Sequence, residues 1–206
     1  RNVAKDNVFT DPQDVSTLTL KALWRPSDDL TVYFSADRTD NDAFCCSSTW
    51  RKVTPGYAPA VTNARYGIVA GPKNLQVAAN GPSQGKSTAQ GGTLQIDYGL
   101  GDLTLTSISA YRSVKREAFY DGDLTPVSYV DTNGGAGKTD WLSQELRLTS
   151  PIGERFDYVA GLYFYHSKAS SLIRQRGQLS WITPATNGVV VPIIPGAPLG
   201  TIFETS

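Results

Sequence analysis

One histidine, His166, and two cysteines, Cys45 and Cys46, are all the soft ligands this chain has to work with. The cysteines are adjacent, and their Cα atoms across a trans peptide lie about 3.8 Å apart, shorter than the usual disulfide span. A vicinal disulfide is therefore open to them only with local strain. Flanked by Phe44 and Ser47-Ser48, they lack the spaced Cys or His partners of a zinc site. A loop constraint or two thiols is the expected role, and no metal site is assigned. A lone His166 excludes a multi-histidine metal site within this chain. A Ser-His-Asp triad would also have to use it, yet no Gly-Xaa-Ser-Xaa-Gly elbow occurs. Its place after Tyr163-Phe164-Tyr165, near a strand end, suits an interfacial or lumenal residue.

Asp121 and Asp123 could suggest glycosidase or calcium chemistry, but in a glycine-bearing loop they are expected to be solvated turn residues. Residues 80–87 and 132–139 imitate a phosphate-binding loop. Asn80 and Thr132 stand where the first glycine belongs, and strand-like sequence follows where a helix is needed. No catalytic residue, enzyme activity or cofactor is expected. Recognition is another matter. Trp50, Arg51, Lys52, Tyr57, Arg65 and Tyr66 gather aromatic and basic groups in one loop, and Arg174, Arg176 and Trp181 do so in the tail. Such groups grip anionic chelates or sugars by stacking and charge-assisted hydrogen bonds. Trp50, Arg51, Tyr57, Tyr66, Arg174, Arg176 and Trp181 are the ligand-binding candidates; the competing role is loop packing or contact with lipopolysaccharide.

The elements that would carry these groups are strands. Residues 15–24, 30–40, 88–98, 103–116, 139–149 and 156–171 are rich in β-branched and aromatic residues, and most alternate with a period of two. Leu18, Leu20, Ala22 and Trp24 share one face, with Thr17, Thr19 and Lys21 on the other. Leu30, Val32, Phe34 and Ala36 oppose Thr31, Tyr33, Ser35 and Asp37. Leu94, Ile96 and Tyr98 oppose Thr93, Gln95 and Asp97, and Leu142, Leu146 and Leu148 oppose Ser143, Glu145 and Arg147. The sixth stretch is apolar on both parities, so the pattern leaves its faces open. Connections alternate strictly. Residues 25–29, 99–102 and 150–155 are short and hold turn residues; 41–87, 117–138 and 172–206 are long, the last including an extended proline-rich stretch at 184–198.

Three antiparallel hairpins built this way put every short turn at one end and every long loop at the other, as outer-membrane barrels do. The chain has 206 residues, zero net charge and no run of about eighteen apolar residues. Nucleic-acid binding by bulk electrostatics and a transmembrane helix are both disfavoured, while barrel strands are untouched by either test. Trp24 and Tyr98 lie where an aromatic girdle would sit, and Lys21, Asp37, Asp97, Glu145 and Arg147 avoid the apolar parity. Arg38 does not. Either lipopolysaccharide phosphates pair with it, or its strand has already left the membrane there.

"LTLKALWRPSDDLTVYFSADRTD" (residues 18–40) resembles the hairpin unit of TonB-dependent outer-membrane receptors. "LTLTSISAYR", "SQELRLTSP" and "RFDYVAGLYFY", within residues 101–165, resemble that family's mid-barrel region, and Cys45-Cys46 resembles paired cysteines in some members' extracellular loops. These pieces cover nearly half of the chain. The resemblance implies a section, over residues 1–206, of a large antiparallel transmembrane β-barrel in the bacterial outer membrane. It implies import of a siderophore, cobalamin or carbohydrate-like nutrient, with an N-terminal plug domain that engages the TonB complex. No plug, TonB box or final strand is visible. With no methionine and Arg1 first, the chain is expected to be a portion of something longer. A passive porin or adhesin barrel and a soluble carbohydrate-binding β-sandwich are the alternatives.

Overall fold

The computed structural model describes residues 1–4, 13–43, 48–56, 58–153 and 155–178, together with the backbone of 180–181, 191–192 and 202–205. Six long strands follow in order: β1 (Gln13–Ser27), β2 (Leu30–Ala43), β3 (Ser83–Leu100), β4 (Leu103–Tyr120), β5 (Thr132–Thr149) and β6 (Val159–Gln178). The connection from β2 to β3 contains α1 (Ala58–Arg65). A short pair, β7 (Ser180–Trp181) and β8 (Val191–Pro192), follows β6, and β9 (Ile202–Thr205) pairs with the last residues of β6. The sheet order is β1-β2-β3-β4-β5-β6-β9 with every neighbour antiparallel. The fold is all-β, and the sheet is open, as a section of a barrel would be.

Turn chemistry places the short connections. Asp28 and Asp29 join β1 to β2, after a bulge between Trp24 and Ser27. Gly101 and Asp102 join β3 to β4, and Gly101 has φ +63°, the left-handed conformation that a two-residue hairpin asks of its first turn position. The turn from β5 to β6 is closed by Ser150, whose N–H donates to the Tyr158 carbonyl (3.0 Å) and whose hydroxyl accepts from the Tyr158 N–H (2.8 Å).

Strand lengths differ from the sequence expectation. β3, β4 and β5 each run 18 residues and β6 runs 20, and most of the extra length lies toward the long-loop end. The loops shrink accordingly to residues 44–82 and 121–131, and β6 continues to Gln178. Stretches such as Gly134-Gly135-Ala136-Gly137-Lys138 carry no apolar alternation, because polar or small residues occupy both parities there. They pair through the backbone, which composition does not reveal.

Register assigns the faces that sequence left open. Trp24, Val32, Ile96, Ser107, Leu146 and Leu162 lie side by side across β1 to β6, as do Leu20, Ala36, Gly92, Tyr111, Leu142 and His166. Ala160, Leu162 and Phe164 of β6 therefore share the apolar face, and Tyr163 and Tyr165 the other. Ser107, Ser109 and Gln144 interrupt the apolar rows but bond to one another: the Ser109 hydroxyl donates to the Gln144 carboxamide, which donates to Ser107 (3.1 Å). One row nearer the long loops, charges begin on the same face with Arg38, whose guanidinium meets both Asp40 oxygens (2.7 and 3.0 Å) and Gln90 (3.3 Å).

Neither face of the sheet is covered by the described residues. Among the described residues the buried hydrophobic side chains are Ile68, Val77, Ala78 and Ala79, all in the 44–82 connection. Leu18 (74 %), Leu20 (60 %), Trp24 (62 %) and Leu162 (76 %) stand exposed in the sheet. A soluble sandwich would bury that face under a second sheet.

Candidate functional site

On the polar face, β2 and β4 reach each other across β3. Asp37, Gly91 and Arg112 are in register, and the Arg112 guanidinium meets the Asp37 carboxylate at 2.6 Å over the glycine. Gly91 is required there twice: it leaves the span open, and a Cβ would stand 2.6 Å from the Tyr111 carbonyl oxygen. Trp141 sits opposite Arg112 on β5. Asp37, Arg112 and Trp141, with Ser143 and Thr93, line a recess of about 130 Å³. Nearer the short turns, Asp97 accepts from the Thr106 hydroxyl (2.6 Å) and the Gln95 carboxamide (2.8 Å), and Glu145 and Arg147 pair at 3.7 Å. These paired charges and dipoles make the face suited to water or to another polar surface.

At the long-loop end, residues 77–82 and 121–131 dock onto each other. Asp121 is 3 % exposed, and its carboxylate accepts from the N–H groups of Gly81 (2.9 Å), Asp123 (3.1 Å) and Leu124 (2.7 Å). Asp123 accepts from the Thr125 N–H (2.9 Å) and hydroxyl and from the Val130 N–H (2.7 Å). Leu124 takes φ +55° between them. Asn80 donates to Asp131 (2.6 Å) and Ser128 (3.0 Å). Desolvation by burial pushes the Asp123 carboxyl up to about 6 against its hydrogen bonds, and burial raises Asp121 as well. The expectation that Asp121 and Asp123 are solvated is thus corrected. Asp121 is buried and Asp123 half-buried, and both organise the loop. The spacing Asp-Gly-Asp-Leu-Thr, two overlapping side-chain turns, was the legible signal.

The expected ligand-binding residues are scattered rather than convergent. The indole N–H of Trp50 donates to the Leu124 carbonyl (3.3 Å), which commits its polar edge to holding the two loops together. Arg51 is exposed beside it, and Tyr66 is exposed just past α1. Arg174 and Arg176 are exposed on β6 opposite Gly134 and Thr132, on the parity of the apolar face and so away from Asp37 and Arg112. His166 is opposite Leu142 on that same face. Cys45, Cys46 and Tyr57 lie outside the described residues, as does the side chain of Trp181, whose backbone forms β7. No protein-family model matches the chain, and no curated protein does.

Proposed function

We propose that this chain is part of the wall of an outer-membrane β-barrel of the TonB-dependent receptor type, working as a gated nutrient importer that captures its ligand in the long loops. The observation that carries the membrane part is the uncovered apolar band on one face of a six-strand meander whose other face is polar. Lipid is the solvent such a band requires. Residues 103–111 cover about 27 Å along their strand at ~3.4 Å per residue. At a tilt of ~40° that is about 20 Å of height, near the ~25 Å apolar band of such barrels.

Beyond that height the same face turns charged, with Arg38–Asp40, Lys138–Asp140 and Lys86–Asp42 pairs. Of the two roles left open for Arg38, its pairing with Asp40 favours a strand that has left the hydrocarbon. The receptor type, the plug, the TonB complex and the cargo rest on the sequence resemblance. Uptake of siderophores, cobalamin and oligosaccharides by cells carrying the full-length gene tests them. Uptake that disappears on deleting TonB is expected; an always-open ion conductance would instead indicate a passive pore.

A further inference from the structure

We infer that the outward face carries a seat for the phosphorylated headgroup of a membrane lipid, in a groove that crosses β3 to β6 just beyond the apolar band; this rests on the barrel proposed above. The groove has a volume of about 510 Å³ and runs between two rows of side chains, with Gly137 and its neighbours in register as the floor. The charged side chains on its walls are Lys86, Lys115 and Lys138, with Glu117 opposite Lys86; Arg116 belongs to the floor row, and its side chain lies on the other face. Lys115 and Lys138 stand directly opposite each other, a placement that costs stability unless an anion lies between them. Lys138 is held by Asp140 (2.7 Å) and Lys86 by Asp42 (3.0 Å), while Lys115 has no acidic partner among the described residues. Thr88 and Ser170 add hydroxyls in the row of the two opposed lysines.

One feature selects a lipid over a free phosphate, and a second sets where the phosphate sits. Toward the short turns the same face becomes apolar, at Tyr111, Leu142 and Leu146, where acyl chains would lie while the headgroup fills the groove. Toward β1 the groove continues past Lys86 into a stretch lined by Asp14, Asp40 and Asp42, which repels phosphate and confines it to the lysine side.

The test uses the full-length protein in detergent and in phosphatidylcholine nanodiscs, with diphosphoryl lipid A, its dephosphorylated form and inorganic phosphate as probes. Native mass spectrometry is expected to show diphosphoryl lipid A held tightly by wild type. Binding should be roughly 30-fold weaker in Lys115→Gln/Lys138→Gln, at about fivefold per lysine. Lys115→Gln alone, which breaks no ion pair, should lose about fivefold and guards against misfolding of the double variant. Equal binding by the variants, equal binding of the dephosphorylated lipid, or displacement by millimolar inorganic phosphate each overturns the seat. Quenching by brominated acyl chains, compared between wild type and Trp24→Phe, checks the barrel separately. Loss of that difference overturns the barrel, whereas its presence with unchanged lipid A binding overturns only the groove.

Discussion

Asp121 and Asp123 hold their protons more tightly in the folded loop than in an unfolded chain, since burial outweighs the donors around each. The folded value for Asp123 is about 6 against 3.8. Its stabilising contribution is therefore complete below about pH 4 and lost as pH rises through about 6. Hydrogen exchange at the amides of Leu124, Thr125 and Val130, corrected for intrinsic rates, is expected to show easier opening at pH 7 than at pH 4. The opposite slope would refute the burial account. Asp123→Asn should flatten the dependence, while Asp123→Ala orphans three donors and should cost about 1–3 kcal/mol per unsatisfied buried group. Gly91 offers a second test. Gly91→Val meets the Tyr111 carbonyl and blocks the Asp37–Arg112 span, so a loss of about 1–3 kcal/mol is expected in denaturant unfolding of the full-length protein.

At the level of elements, what distinguishes this sheet is how far its strands run past the last apolar residue. Paired side chains hold the extensions: Thr88 to Asp40 (2.7 Å), Lys86 to Asp42, and Gln175 to Asn133 (2.8 Å). The two long connections are then joined to each other rather than left separate, through Asp121, Asp131 and Trp50. Trp50→Phe keeps an aromatic ring, though a smaller one, and removes the donor to Leu124. It should cost about 1 kcal/mol and speed limited proteolysis within residues 48–82 and 121–131. Unchanged cleavage would mean that the aspartates alone hold the loops.

For the whole molecule, the contrast between neighbours in sequence is the sharpest check. Leu94 and Thr93 lie on opposite faces of β3. Leu94→Arg is expected to cost about 2–4 kcal/mol of barrel stability, since it places a cation among lipid chains, and Thr93→Arg far less. Refolding into lipid vesicles measures both. Similar costs at the two positions would argue against lipid on the Leu94 face.

The existence of the six long strands, the alternation of faces in β1, β2, β3 and β5, and the short-turn, long-loop asymmetry were all legible in the sequence, whereas the short strands β7, β8 and β9 were not. Each is local: period-two side-chain direction and turn-forming residues need no distant partner. The faces of β6, the true strand ends and the loop-to-loop aspartate knot were not legible. They depend on which residue lies opposite which, and on burial created by segments some forty positions apart. The candidate site divides in the same way. Aromatic and basic residues could be named from composition, but only tertiary structure placed Trp50 in a structural bond, turned Arg174 and Arg176 from the polar face, and brought Lys115 and Lys138 side by side. Composition reports what a chain can bind with, whereas register decides which groups act together.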